Sequence, residues 1–96
     1  MAKALDKPKI EIGEEEGVDV SELLERKLTI FNDDVNSFGW VIKTLVTVLG
    51  HTPQQAEQCA NIIHHTGKCV VKTGLFDELK PYRDAICERG IDVRIV

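Results

Sequence analysis

Ninety-six residues with a hydrophobic share of 43% and five aromatic side chains allow one domain with an aliphatic core. No run approaches the roughly 18 apolar residues of a membrane span, and the lysine-bearing start lacks an apolar secretory core, so a cytoplasmic protein is expected. The net charge of −4 is uneven: residues 1–26 hold eight acids and four bases, residues 27–96 eight of each. Nothing in that balance builds the basic face that nucleic acid requires. Cys59, Cys69 and Cys87 are odd in number and widely spaced. They fit reduced, small apolar residues better than a disulfide scaffold or a zinc site, and no metal or cofactor is expected.

Residues 1–26 read as a flexible acidic tail, with scattered apolar residues, two glycines and the run Glu14, Glu15, Glu16. A core domain is expected over 27–96. It opens with a strand over 27–31, rich in β-formers. A helix follows over about 37–49, because Phe38, Val41, Ile42, Leu45, Val46 and Leu49 recur at helical spacing. Asn36 or Ser37 would cap it and Gly50 end it. Trp40, beside that stripe, is expected to cover the first strand.

Thr52-Pro53-Gln54-Gln55 carries the strongest helix start in the chain: a cap, a proline at the first helical position, and a glutamine three residues after the cap. That helix should end near His65, with Gly67 beyond it. A strand over 68–73 and a helix over about 77–89 come next. Pro81 must lie in that helix's first turn or bend it. Gly90 stops the helix, and residues 91–96 alternate as a third strand. The order β-α-α-β-α-β gives a two-layer α+β domain, three helices on one face of a three-stranded antiparallel sheet.

Asn32, Asp33 and Asp34 stand between the first strand and the first helix. Such residues commonly form turns and caps, but an amide and two carboxylates can also hold a cation. The triplet, the amphipathic helix after it and the later Glu57-to-Val71 run EQCANIIHHTGKCVV, with His64-x-x-Gly67-Lys68, together resemble ClpS, the adaptor of the bacterial Clp protease. The same fold occurs in the C-terminal domain of the ribosomal stalk protein.

That resemblance implies a non-catalytic receptor for N-degrons, meaning substrates that begin with a bulky apolar residue. It implies delivery of them to a ClpA-type AAA+ unfoldase. The α-amino group would be held by Asn32, Asp34 and His64, with Asp33 contributing through water or charge. The side-chain pocket would be lined by Phe38, Val41, Ala60, Ile63 and Val93, with Asn36 at its rim. Phe38 and Ala60 stand where the family usually has methionine. Thr73, Glu78 and Lys80 would remain of the segment that touches the unfoldase, and the tail would be engaged during delivery.

Elementary chemistry points the same way. An ammonium has three donors and no acceptor. Asn32, a carboxylate and a neutral His64 would match it with three acceptors, while a Leu or Phe side chain gains roughly 1.5–3 kcal/mol on burial. Two other classes remain open. In an enzyme, Asp33, Asp34 and His64 would be a hydrolytic set, for which no nucleophile is evident. In a stalk-like interaction module, the fold would bind proteins without the pocket.

Overall fold

The computed structural model describes residues 23–96. Most of the expected acidic tail, residues 1–22, lies outside the described residues. β1 (Arg26–Phe31) is followed by α1 (Phe38–Leu49), α2 (Pro53–Thr66), β2 (Lys68–Gly74), α3 (Phe76–Cys87) and β3 (Val93–Ile95). The sheet order is β2-β1-β3, and both pairings are antiparallel.

Alternation along β1 divides its side chains between two faces. Leu28 and Ile30 are fully buried against the helices, where they meet Leu45 of α1, Ala56 and Ile63 of α2, and Leu79 and Ile86 of α3. Five fully buried Leu and Ile side chains, Leu28, Ile30, Leu45, Leu79 and Ile86, form the centre of this core, each worth about 1.5–3 kcal/mol of burial. Beside Leu28 the register with β2 shifts, and Val71 forms a bulge. His51 Nε2 donates to the Val71 carbonyl at 3.2 Å.

The helix ends follow local chemistry. Ser37 Oγ accepts from the Trp40 N–H, so Ser37, and not Asn36, caps α1. Thr52 and Gln55 exchange side-chain-to-backbone bonds of 3.1 and 3.0 Å at the start of α2, the reciprocal box expected from TPQQ. Gly67 ends α2 at φ 97°, a left-handed conformation that glycine adopts without strain. At α3, Glu78 Oε1 accepts from the Leu75 N–H at 2.8 Å.

One boundary near α3 differs from expectation, and two side chains take definite places there. Pro81 lies beyond the first turn of α3, inside a continuous helix. Leu79 and Ile86, fully buried on either side of it, hold the helix in place despite the lost N–H. The helix stops at Cys87, so residues 88–90 form the turn into the last strand. Trp40 packs against the core that Leu28 and Ile30 of β1 help to form; its indole Nε1 donates to the Arg89 carbonyl at 3.1 Å, and the Arg89 guanidinium sits 5.3 Å above its ring. The tryptophan thereby ties α1 to the end of α3.

In urea denaturation, Leu45→Ala is expected to cost about 2–5 kcal/mol by leaving a cavity. Thr52→Ala should cost about 1 kcal/mol through loss of the cap. Equal effects of the two would contradict this division between core and cap.

Candidate functional site

Two backbone contacts bring the ends of β1 and α2 together. The Asn32 N–H donates to the Gly67 carbonyl at 2.8 Å, beside the last turn of α2 that carries His64. On the far side of the β1–α1 loop, Asn36 Nδ2 donates to the Gly90 carbonyl at 2.9 Å. The loop is thus anchored to two separate turns.

Asp33 organises the residues between these anchors. Its Oδ1 accepts from the backbone N–H groups of Val35 and Asn36, each at 2.9 Å. The Asn36 side-chain amide donates to both carboxylate oxygens, at 3.2 and 2.9 Å. The Asn36 backbone N–H holds the Asp33 carboxyl below its ordinary value, against the opposing effect of burial, and the Asn36 side chain and Val35 add to the lowering. This aspartate is a structural strut.

Its neighbours are not engaged in this way. Among the described residues, the side chains of Asn32 and Asp34 make no hydrogen bond or ion pair, and His64 only stacks edge-on with His65 at 5.3 Å. His65 Nδ1 instead donates to the Asn61 carbonyl at 2.8 Å. Asn32, Asp34 and His64 are all exposed.

These three residues border a cavity of about 390 Å³. Asp33 and Asn36 complete its polar side, and Phe38, Val41, Ala60 and Ile63 form its apolar side. Phe38 opens α1 and is 42% exposed, a large apolar ring left uncovered at the rim. Ala60 and Ile63 are buried on the inward stripe of α2. No lysine or arginine lines the cavity, so its carboxylates give it a negative potential suited to a cationic guest.

Val93 is the one expected member of this apolar wall that the cavity lacks. Val93 does not line the cavity; it is 7% exposed and packs in the core, because its place opposite Ile30 turns it towards the helices. The Gly90 carbonyl, which anchors Asn36, is not among the expected site residues. A backbone acceptor in a turn leaves no mark in side-chain pattern. Thr73, Glu78 and Lys80 lie apart from the cavity, at the end of β2 and the start of α3. Glu78 is engaged in the α3 start, and Lys80 pairs with Asp84 at 3.7 Å. Burial, and then the neighbouring Cys59, push the Cys69 thiol up to about 12, so it is not a thiolate at neutral pH.

The chain is thus a two-layer β-α-α-β-α-β domain with a small apolar cavity and a rim of unengaged acceptors. The chain matches the family model "ATP-dependent Clp protease adaptor protein ClpS" over residues 25–91, and it belongs to that family. Its fold is similar to that of Agrobacterium tumefaciens ClpS2, a structure solved bound to L-phenylalaninamide, with a TM-score of 0.61 and 21% identity. That match covers 75% of this chain and 92% of the other. No curated protein matches the chain.

Asp33→Ala should destabilise the domain by about 1–2 kcal/mol, whereas Asp34→Ala should change stability by less than about 0.5 kcal/mol. Since folding lowers the Asp33 pKa, its contribution is complete above the ordinary aspartate value of 3.8 and is lost as pH falls through the folded-state value. Acid titration of the two variants against the parent checks both statements. Equal sensitivity at the two positions would contradict the strut.

Proposed function

We propose that this adaptor is an N-degron receptor: it binds the first residue of a protein when that residue is bulky and apolar. The observation that carries the reading is the placement of three unengaged acceptors, Asn32, Asp34 and His64, beside an apolar cavity. A chain start offers an ammonium with three donors, and one side chain next to it. The acceptors answer the ammonium, and Phe38, Val41, Ala60 and Ile63 answer the side chain. An internal residue has no ammonium and gains only the second contribution.

Asp33 acts here as the support of the loop. Together with Asp34 it also supplies negative potential at the cavity. The reading includes no catalysis, and Asp33, Asp34 and His64 act as acceptors only. Delivery to a ClpA-type unfoldase in the cytoplasm completes the proposal, with exposed Thr73, Glu78 and Lys80 as candidate contacts. Family membership supports this partner class.

A peptide beginning with free Leu or Phe should bind with a Kd on the order of micromolar, and its acetylated form about 10–100-fold more weakly, since charged hydrogen bonds are lost. His64→Ala and Asp34→Ala should each weaken binding of the free peptide about tenfold or more, with Tm nearly unchanged. Equal binding of free and acetylated peptides would replace this reading with an interaction module of the same fold.

The pH profile gives a separate check. An α-amino group is an ammonium only below about pH 8. Affinity should therefore fall above about pH 9, as the peptide's ammonium loses its proton. Affinity unchanged at about pH 10 would remove the ammonium from the recognised group.

A further inference from the structure

Of the four residues on the apolar side of the loop cavity, three have little surface left to cover. Ala60 and Ile63 are 3% and 4% exposed, and Val41 is half-buried against the core. Phe38 is the exception, at 42%. Its ring also lacks a partner. Phe31, Trp40 and Tyr82 each have a lysine or arginine cation over the ring, at 4.6, 5.3 and 5.1 Å. Among the described residues, Phe38 has no such cation and meets no other ring.

We propose that this open ring makes Phe38 a specificity-determining residue: the site selects an aromatic first residue over an aliphatic one of the same bulk. The inference rests on the N-degron reading of the cavity and names the preferred substrate class within it. A guest held at its ammonium by Asn32, Asp34 and His64 lays its side chain on the apolar side. The surface newly covered there is chiefly the Phe38 ring. An aliphatic guest gains area on that ring. An aromatic guest gains similar area and also an offset or edge-to-face contact between two ring quadrupoles, worth about 2–10-fold in affinity.

The root of the ring is fixed before a guest arrives. Phe38 is the first residue of α1, directly after the Ser37 cap. Ser37 accepts from the Trp40 N–H through its hydroxyl at 3.1 Å, and from the Val41 N–H through its carbonyl at 3.2 Å. With this backbone held, only two side-chain torsions of Phe38 remain to be ordered, so little entropy opposes the contact. On α2, Ala60 contributes only a methyl group to the cavity wall, which leaves room for a flat ring. His64 also borders the cavity, but its ring already stands edge-on to His65 at 5.3 Å.

Peptides alike except in the first residue test this, titrated against the parent protein and Phe38→Leu. Phenylalanine is compared with cyclohexylalanine, which has the same carbon skeleton, greater hydrophobicity and no aromatic face. Burial alone favours cyclohexylalanine. The parent should nevertheless bind the phenylalanine peptide about threefold or more tightly, and in Phe38→Leu that ratio should fall to about one or below. Each ratio is taken within one protein, so partial unfolding of the variant cancels. Without any variant, the Phe38 ring-proton resonances of the parent should move further with the phenylalanine peptide than with the cyclohexylalanine peptide. Equal or tighter binding of the cyclohexylalanine peptide by the parent would overturn the proposal. So would a phenylalanine preference kept in Phe38→Leu, which would pass the selection to the His64 ring. An acetylated phenylalanine peptide that binds as tightly as the free one removes the degron reading and this inference with it. An advantage of the free peptide without a phenylalanine preference overturns this inference alone.

Discussion

The Asp33 carboxylate holds the β1–α1 loop by accepting from two backbone N–H groups and from the Asn36 amide. Through Asn36 the same network reaches the Gly90 carbonyl, and so the turn that leads into β3. With Asn32 fixed to Gly67 on the other side, the loop is held at both ends. Because Asp33 supplies those bonds, Asn32 and Asp34 need not. On the proposed reading they stay free for a guest while their backbone is already ordered, which lowers the entropy cost of binding. One acid of the triplet thus holds the loop, and the side chains on either side of it are left unengaged.

A second hollow, lined by Lys27 and Lys68, lies on the sheet face turned away from the core, and the two differ in sign. The cavity at the loop has carboxylates and no lysine or arginine, while the hollow on the open sheet face has lysines and no acid. Short connections set them close in sequence yet on separate surfaces. His64 ends the helical side of the first, and Lys68, four residues later, begins the strand that lines the second. Gly67 makes that change of direction through its left-handed backbone. One small domain in this way sets an acidic cavity and a basic hollow on separate surfaces.

Much of the fold is legible in the sequence because its signals are local. TPQQ specifies the start of α2 through bonds among four consecutive residues, and Gly50 and Gly67 mark the helix ends by backbone conformation. The stripe from Phe38 to Leu49 identifies α1, but periodicity alone does not show that Phe38 stays uncovered at a rim. Pro81 stays open between the first turn and a bend further in, because local preference carries no knowledge of the burial on either side of it. Val93 was misplaced for a related reason: alternation allows either face, and only pairing with Ile30 fixes it. The division of roles within Asn32, Asp33 and Asp34 was the least legible feature. It depends on Asn36 reaching Gly90, a contact 54 residues apart in the chain.

A crystal structure of the full chain with a short peptide beginning with phenylalanine tests the central claim most directly. The account predicts the peptide's ammonium nitrogen within about 2.7–3.2 Å of Asn32, Asp34 and His64, with the ring among Val41, Ala60 and Ile63. An ammonium left in solvent, or a ring seated outside that cavity, would contradict it.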